Sequence, residues 1–279
     1  MKYFQCGRFR YPLSGAQSRT LVMGVLNITP DSFSDGGKYL HLESAIARAE
    51  QMIEDGVDII DIGGESSRPG SAPLPLEEEL GRVMPVIYAL RDCGKPLSID
   101  TYKPQVMREA LLAGVDMIND IQGFRSPESI AAVQNADAAL CAMHMQNTPV
   151  DMQLSPEYAD VNQEVKAFLR ERLAAFEQAG IEAERICLDP GFGFGKTLEH
   201  NVDLFRHLPE LQRELGLPVL VGVSRKSMIG GLTGRAAPER MAGSIAAALA
   251  AKQMGANIIR VHDVAETVDA YKVWDALSR

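Results

Sequence analysis

The chain lacks a cysteine framework. Its four cysteines, Cys6, Cys93, Cys141 and Cys187, lie far apart with no CxxC pair among them. That excludes a disulfide-stapled scaffold or a zinc knot and leaves reduced thiols as the expectation. A membrane span is missing too. No apolar run approaches the ~20 residues that a bilayer requires, and residues 1–8 have no apolar core of the kind that marks a secretory signal. Positive charge is in deficit: 28 Lys+Arg against 37 Asp+Glu give a net charge of −9. This balance argues against nucleic acid as a partner, while a local basic pocket for a small anion stays compatible with it. There is no HExxH helix, no Ser-His-Asp order and no cysteine beside a histidine, so zinc hydrolysis and covalent acyl transfer lack their residues. These absences predict a cytoplasmic protein that binds neither membrane nor nucleic acid.

What the chain does have is apolar sequence in regular spacing. Hydrophobic residues make up 46% of its 279 residues, ample for a buried core, and a chain of this length can form one α/β barrel. Residues 1–20 are turn-rich and read as a hairpin-like N-terminal extension. The first continuous apolar run, 21–27, has the composition of a strand buried on both faces. A polar, glycine-bearing loop follows. The next helix sets Leu42, Ala45, Ile46, Ala49, Met52 and Ile53 on one face, and Gly56 ends it.

The same unit recurs. Further strands are expected near 58–62, 97–100, 117–120, 138–144, 186–189, 219–223 and 257–261. Helices are expected from residue 76 with a kink at Pro85, from Pro104 to Gly114, and weakly over 127–135. A longer one carries Tyr158, Val161, Val165, Phe168, Leu169, Leu173 and Phe176 inward until Gly180, and three more cover 199–215, 238–254 and 264–277. Eight strand–helix units with no linker-like break predict a parallel sheet closed into a single-domain (β/α)8 TIM barrel, spanning 1–279 with its extension. A doubly wound open sheet is the rival, and it would spread the strand ends along a crevice instead of gathering them in a ring.

Active sites of such barrels lie at the C-terminal ends of the strands. Here those ends carry Asn27, Asp61 with the glycine-rich stretch 63–70, Asp100, Asn119, His144, Asp189, Ser224 with Lys226, and Arg260 with His262. Any one of them alone is more often a helix cap or a satisfied buried group. Gathered in one ring they make a ligand site. Asp and Asn at neighbouring ends suit a flat heterocycle with a donor–acceptor edge. Arg68, Arg260 and His262, with helix N-termini behind them, suit a phosphate or diphosphate. One Asn, together with diphosphate oxygens and water, is an adequate magnesium site. The stretch 189–197, DPGFGFGKT, imitates a nucleotide loop but fails both templates: a Walker motif needs glycine where Pro190 stands, and a dinucleotide fingerprint needs glycine where Lys196 stands.

Seven motifs resemble the dihydropteroate synthases: 24–37 (GVLNITPDSFSDGG), 61–70 (DIGGESSRPG), 98–101 (SIDT), 118–120 (IND), 189–196 (DPGFGFGK), 222–227 (GVSRKS) and 260–264 (RVHDV). The resemblance runs in order from residue 21 to the C-terminus. It implies a transferase of folate biosynthesis that joins p-aminobenzoate to the methylene of 6-hydroxymethyl-7,8-dihydropterin diphosphate, releasing diphosphate. It implies that Asp100, Asn119, Asp189 and Lys226 bind the pterin between the apolar walls Met143 and Phe194. Asn27 would hold Mg²⁺, and Arg260, Val261 and His262 would meet the diphosphate. Phe33, Ser67, Arg68, Pro69, Lys226 and Ser227 would meet p-aminobenzoate, with Ser67 also near the diphosphate, and Asp35, Arg68, Lys226, Arg260 and His262 would serve catalysis. Ser67 departs from the family's usual threonine, keeping the hydroxyl and losing a methyl contact. A homodimer is also implied, and the Ala-rich segment near 242–251 is its candidate surface. Two rivals share the barrel: a pterin-binding methyltransferase domain, which has no use for a diphosphate grip, and a non-catalytic pterin binder.

Overall fold

The computed structural model describes residues 2–15, 17–28, 38–66, 70–147, 152 and 156–278. Two short strands, β1 (Tyr3–Cys6) and β2 (Phe9–Pro12), pair antiparallel as the expected hairpin. Eight parallel strands follow: β3 (Leu21–Asn27), β4 (Ile59–Gly63), β5 (Leu97–Asp100), β6 (Met117–Asp120), β7 (Ala139–Met143), β8 (Ile186–Asp189), β9 (Leu220–Val221) and β10 (Ile258–Val261). Their order is β8-β7-β6-β5-β4-β3-β10-β9. A parallel bridge between Leu188 and Val219 joins the two ends of the sheet, and the Leu188 N–H donates to the Pro218 carbonyl at 2.9 Å. The sheet is a closed barrel, and the open-sheet alternative falls.

Ten helices surround it among the described residues: α1 (Lys38–Glu54), α2 (Leu76–Leu90), α3 (Pro104–Ala113), α4 (Pro127–Val133), α5 (Val161–Gln178), α6 (Leu198–Arg206), α7 (Leu208–Leu215), α8 (Ser227–Thr233), α9 (Met241–Gln253) and α10 (Val264–Leu277). Their ends follow local chemistry. Pro104 opens α3 and Gly114, at φ 98°, closes it, while the Asp160 carboxylate caps α5 by accepting from the Asn162 and Gln163 N–H groups. Helix α2 runs unbroken through Pro85. The helix expected over 199–215 is two helices, because His207 ends α6 and Pro209 sits in the first turn of α7. The strand expected over 219–223 stops at Val221, and the short α8 after it has no counterpart in the periodicity.

Side chains alternate along each strand, and this alternation builds the interior in layers. The lowest layer is apolar: Leu21, Met23, Ile59, Met117, Ala139, Cys141, Cys187, Leu220 and Ile258 point inward, and Phe4 and Cys6 of β1 pack beneath them. The hairpin thus closes the N-terminal end of the barrel. It is stapled there by Asp116, whose carboxylate accepts from the Arg8 N–H at 3.1 Å, from Arg8 Nε and Nη2 at 2.9 Å each, and from the Leu97 N–H at 3.1 Å. The alternate residues (Val22, Leu26, Ile60, Ile62, Ile99, Ile118, Leu140, Leu188, Val221, Ile259, Val261) face outward into the main core against the helices. Two residues above the apolar layer, the inward positions turn polar.

Candidate active site

Polar side chains project inward at the C-terminal end because each stands an even number of residues beyond an apolar inward residue. Asp61 follows Ile59, Asn119 follows Met117, Asp189 follows Cys187 and Arg260 follows Ile258. Strand register then aligns them: Asn27 lies opposite Gly63, Gly63 opposite Asp100, Asp100 opposite Asn119, and Met143 opposite Asp189.

Arg260 ties the ring together. Its Nε donates to Asp61 Oδ2 at 2.6 Å and its Nη2 to Asp100 Oδ2 at 2.8 Å. Asn119 Nδ2 shares the same Asp61 oxygen at 3.2 Å. Asp61 is 0% exposed, and its other oxygen, Oδ1, has no partner. Burial opposes the Arg260 charge, but Asp61 and Asp100 outweigh it and hold the guanidinium above its ordinary value. Burial also raises the Asp100 carboxyl, with Arg260 opposing and Asp61 adding to the rise.

Across the ring stand Asp189 and Lys226. Burial raises the Asp189 carboxyl, against the pull of Lys226. Burial pushes Lys226 down to about 8, with Asp189 opposing. The lysine donates to the Phe192 carbonyl at 2.6 Å and lies 4.5 Å from the centre of the Phe194 ring. Gly193 makes room for it, since a Cβ there would stand 3.2 Å from Lys226 Cδ. Beside them Ile121, Met143, Met145, Met152 and Phe194 form an apolar cluster with Tyr102 against it. A flat ring thus meets hydrogen-bonding groups at its edge and methionine and phenylalanine on its faces.

The anionic end lies between β3 and β10. His262 donates its main-chain N–H to Ser224 Oγ at 3.2 Å, and its Nδ1 lies 3.1 Å from the same oxygen. Burial, reinforced by Arg260 and Arg225, lowers this imidazole to about 4, so it is neutral at physiological pH. A cavity of about 550 Å³ opens here, lined by Asn27, Arg48, Arg225, His262, Asp263 and the first turn of α10. Asp263 does not cap that helix with its side chain; its carboxylate accepts from Arg225 Nε at 3.1 Å instead. The start of α10, which has no side-chain cap, thus lines a cavity shared by Arg48, Arg225 and His262 and by the acids Asp55, Asp263 and Glu266; a helix N-terminus of this kind can receive an anion. The Asn27 side chain makes no hydrogen bond among the described residues, and a Cβ on Gly63 would stand 3.3 Å from its Oδ1. No group of three or more His, Cys, Asp or Glu among the described residues could hold a metal. The donor set fits a magnesium ion carried mainly by substrate oxygens and water, and does not fit a protein cage.

Of the residues expected at the site, Asn27, Asp100, Asn119, Met143, Asp189, Phe194, Lys226, Arg260 and His262 gather at the ring. Val261 faces the helices in the main core, so only its main chain is near the ring. Ser227 is exposed at the start of α8. Phe33, Asp35, Ser67, Arg68 and Pro69 lie outside the described residues. The base of the second loop is anchored, however. Tyr102 donates to Glu65 at 2.8 Å, Lys103 bridges Glu65 and Glu79, and Arg82 donates to the Gly64 carbonyl at 2.9 Å. His144 is a correction. One step past the inward Met143, it turns behind the wall and bonds Lys196 at 2.9 Å. Asp61 and Ile121 join the site with no role from the resemblance, and strand alternation was the signal for Asp61.

Comparison with known proteins agrees with this geometry. Residues 23–262 match the model of the pterin binding enzyme family. The dihydropteroate synthase of Neisseria meningitidis serogroup C is 50% identical over 278 residues, covering 98% of this chain and 97% of its own. This chain belongs to the dihydropteroate synthase family. Among solved dihydropteroate synthases, that of Xanthomonas albilineans with 4-aminobenzoic acid superposes at a TM-score of 0.91 with 50% identity, covering 99% of this chain and 98% of its own. The dihydropteroate synthase of Burkholderia cenocepacia complexed with 7,8-dihydropteroate gives 0.89 and 51%, covering 99% and 96%.

Proposed function

We propose that the chain condenses p-aminobenzoate with (7,8-dihydropterin-6-yl)methyl diphosphate, giving 7,8-dihydropteroate and diphosphate. The observation that carries this reading is the Arg260 guanidinium held between Asp61 and Asp100, with Asn119 on the same Asp61 oxygen. The relatives bind 4-aminobenzoic acid and 7,8-dihydropteroate, and about half of their residues are shared with this chain.

In this reading Asp100, Asn119 and Asp189 take the pterin edge, Lys226 takes an acceptor on the same ring, and Met143 and Phe194 take its faces. The aniline nitrogen is neutral, so no strong base is required. Its lone pair forms a bond to the methylene carbon. The carbon–oxygen bond to diphosphate breaks, its electron pair leaves with the diphosphate, and the nitrogen's extra proton passes to the diphosphate or to water. Bond breaking runs ahead, because the electron-rich dihydropterin can carry positive charge, and the surrounding carboxylates favour that charge. Arg260, the α10 N-terminus and the His262 imidazole stabilise the departing anion. With the Ser224 hydroxyl proton directed at Nδ1, His262 keeps its own proton on Nε2 and offers it as a donor. Asn27 would hold Mg²⁺, which would supply charge neutralisation for the leaving group when bound. Phe33, Asp35, Ser67, Arg68 and Pro69, outside the described residues, take the roles toward p-aminobenzoate that the resemblance gives them, and Ser227 meets it beside Lys226.

The protein is proposed to work in the cytoplasm as a homodimer. Helix α9 buries only Ser244, Ala248 and Ala251, and Leu232 and Met241 stand exposed near it, which suits a second copy packing there. Sedimentation of the purified chain tests the dimer. The activity is tested by mixing both substrates with Mg²⁺ and measuring diphosphate, with and without a sulfonamide competing against p-aminobenzoate. Diphosphate release that needs both substrates and yields to the competitor supports the reading. Pterin binding without release would leave the non-catalytic binder, and methyl transfer from a methylated pterin would favour the methyltransferase.

A further inference from the structure

Lys196 is the residue that makes the 189–197 stretch imitate a nucleotide loop, and nothing in the proposed reaction uses it. Its side chain does not reach the ring. It is 3% exposed and buried in the wall behind Phe194. All three ammonium protons have acceptors there: the Gly191 carbonyl at 2.9 Å, the Phe194 carbonyl at 3.1 Å and His144 Nδ1 at 2.9 Å. Two of these belong to the loop itself and the third to the residue after β7. A buried charged donor with three short bonds is a strong tie.

The tie also fixes the histidine. To accept at Nδ1 the imidazole must be neutral with its proton on Nε2, and burial together with the Lys196 charge lowers it to about 2. Phe168 packs edge-on at 5.1 Å and holds the ring in that orientation. The loop has no slack against this support. A Cβ on Gly191 would stand 1.7 Å from the His144 carbonyl oxygen, and one on Gly195 would stand 2.8 Å from that of Gln146. Asp189 is drawn into the same arrangement, because its Oδ1 accepts from the Gly191 N–H at 2.7 Å.

We propose that Lys196 is a positioning residue of the heterocycle pocket: its ammonium ties the 189–197 loop to the end of β7, and so fixes Asp189 at the pterin edge and Phe194 on the pterin face. The inference rests on the function proposed above. A general structural role is separable from it, since the loop has other supports. Tyr158 donates to the Gly195 carbonyl at 2.8 Å, and Asn201 accepts from the Gly193 N–H at 2.7 Å. The chain can therefore fold without the lysine's charge, and what is lost is the exact seat of two pocket residues.

The experiment compares Lys196→Met, His144→Leu and His144→Asn with the unmodified chain, measuring KM for each substrate, kcat and the thermal midpoint. Lys196→Met is expected to raise KM for the pterin diphosphate by about tenfold or more while KM for p-aminobenzoate stays within about twofold. His144→Leu removes one acceptor and gives a smaller rise in the same direction. His144→Asn places an amide oxygen close to the lost Nδ1 and recovers most of it. An equal rise for both substrates overturns the proposal, as does a lower thermal midpoint with both KM values unchanged. Should Lys196→Met fail to fold, equal pterin KM values for the two His144 variants overturn it. Failure of the functional reading looks different, because the unmodified chain would then release no diphosphate.

Discussion

Arg260 Nε donates to Asp61 Oδ2 at 2.6 Å, and Asp61 lies one inward layer below Asp100, which takes the Nη2 of the same guanidinium. Two of the three guanidinium nitrogens are thereby held among the described residues. Asp61→Ala removes the lower hold and leaves a buried charge half-compensated, at a cost of about 3–5 kcal/mol in folding stability. The urea midpoint measures it. Arg260→Ala removes the donor to the leaving group and should lower kcat by about 10²–10³. Diphosphate release at a near-unchanged rate would sink the assignment of Arg260.

The pH dependence follows from two buried lysines. Burial lowers Lys226 to about 8 and Lys196 to about 7. A lysine lowered in this way carries its charge below that value and loses it above. The grip on the pterin therefore weakens as pH rises through the range from about 7 to about 8. In kcat/KM for the pterin diphosphate, which reports the free enzyme, the expected profile is an alkaline fall steeper than one proton can give. A flat profile up to about pH 10 contradicts it.

Chelation should abolish diphosphate release and Mg²⁺ should restore it. Asn27→Ala should raise the Mg²⁺ concentration needed for half-maximal rate by about tenfold, with the pterin KM at saturating metal little changed. A variant with an unaltered metal requirement removes Asn27 from the ion.

Arg68→Ala and Pro69→Leu should raise KM for p-aminobenzoate far more than KM for the pterin diphosphate. Steady-state kinetics with each substrate varied in turn measure this. Equal losses for both substrates would make the 61–70 stretch a general phosphate cradle.

At the other end of the barrel a substitution should affect stability alone. Asp116 holds Arg8 and the Leu97 N–H, and it is buried. Asp116→Ala leaves the buried Leu97 N–H without its acceptor and is expected to cost about 1–3 kcal/mol and leave both KM values in place. A change in either KM would mean that the two ends communicate.

The barrel was legible because short apolar runs alternate with helix-spaced ones, and the two-residue period then marks which strand-end groups face inward. Asn27, Asp100, Asn119, Asp189 and Arg260 all obey it. His144 breaks the reading by one residue: it ends an apolar run as the others do, yet the inward place belongs to Met143. Asp61 reads in the sequence as a strand tip, but its strand runs on to Gly63, so it sits one inward layer deeper than Asp100. Helix α8 was hidden by Gly230 and Gly231, which disfavour helix in isolation. They are kept by contact, since a Cβ on Gly231 would stand 2.9 Å from Leu198 Cδ2.

The hairpin beneath the barrel sets the traffic through it. Phe4 and Cys6 pack beneath the apolar layer that fills the lower barrel, so among the described residues the polar ring is closed from below. Whatever sits deepest must arrive first and depart last, and a second reactant lodged above it blocks its retreat. On the proposed function, loading is expected to be sequential. The joined product must also back out past the route by which its halves came in, which makes clearance of the mouth a natural brake on turnover.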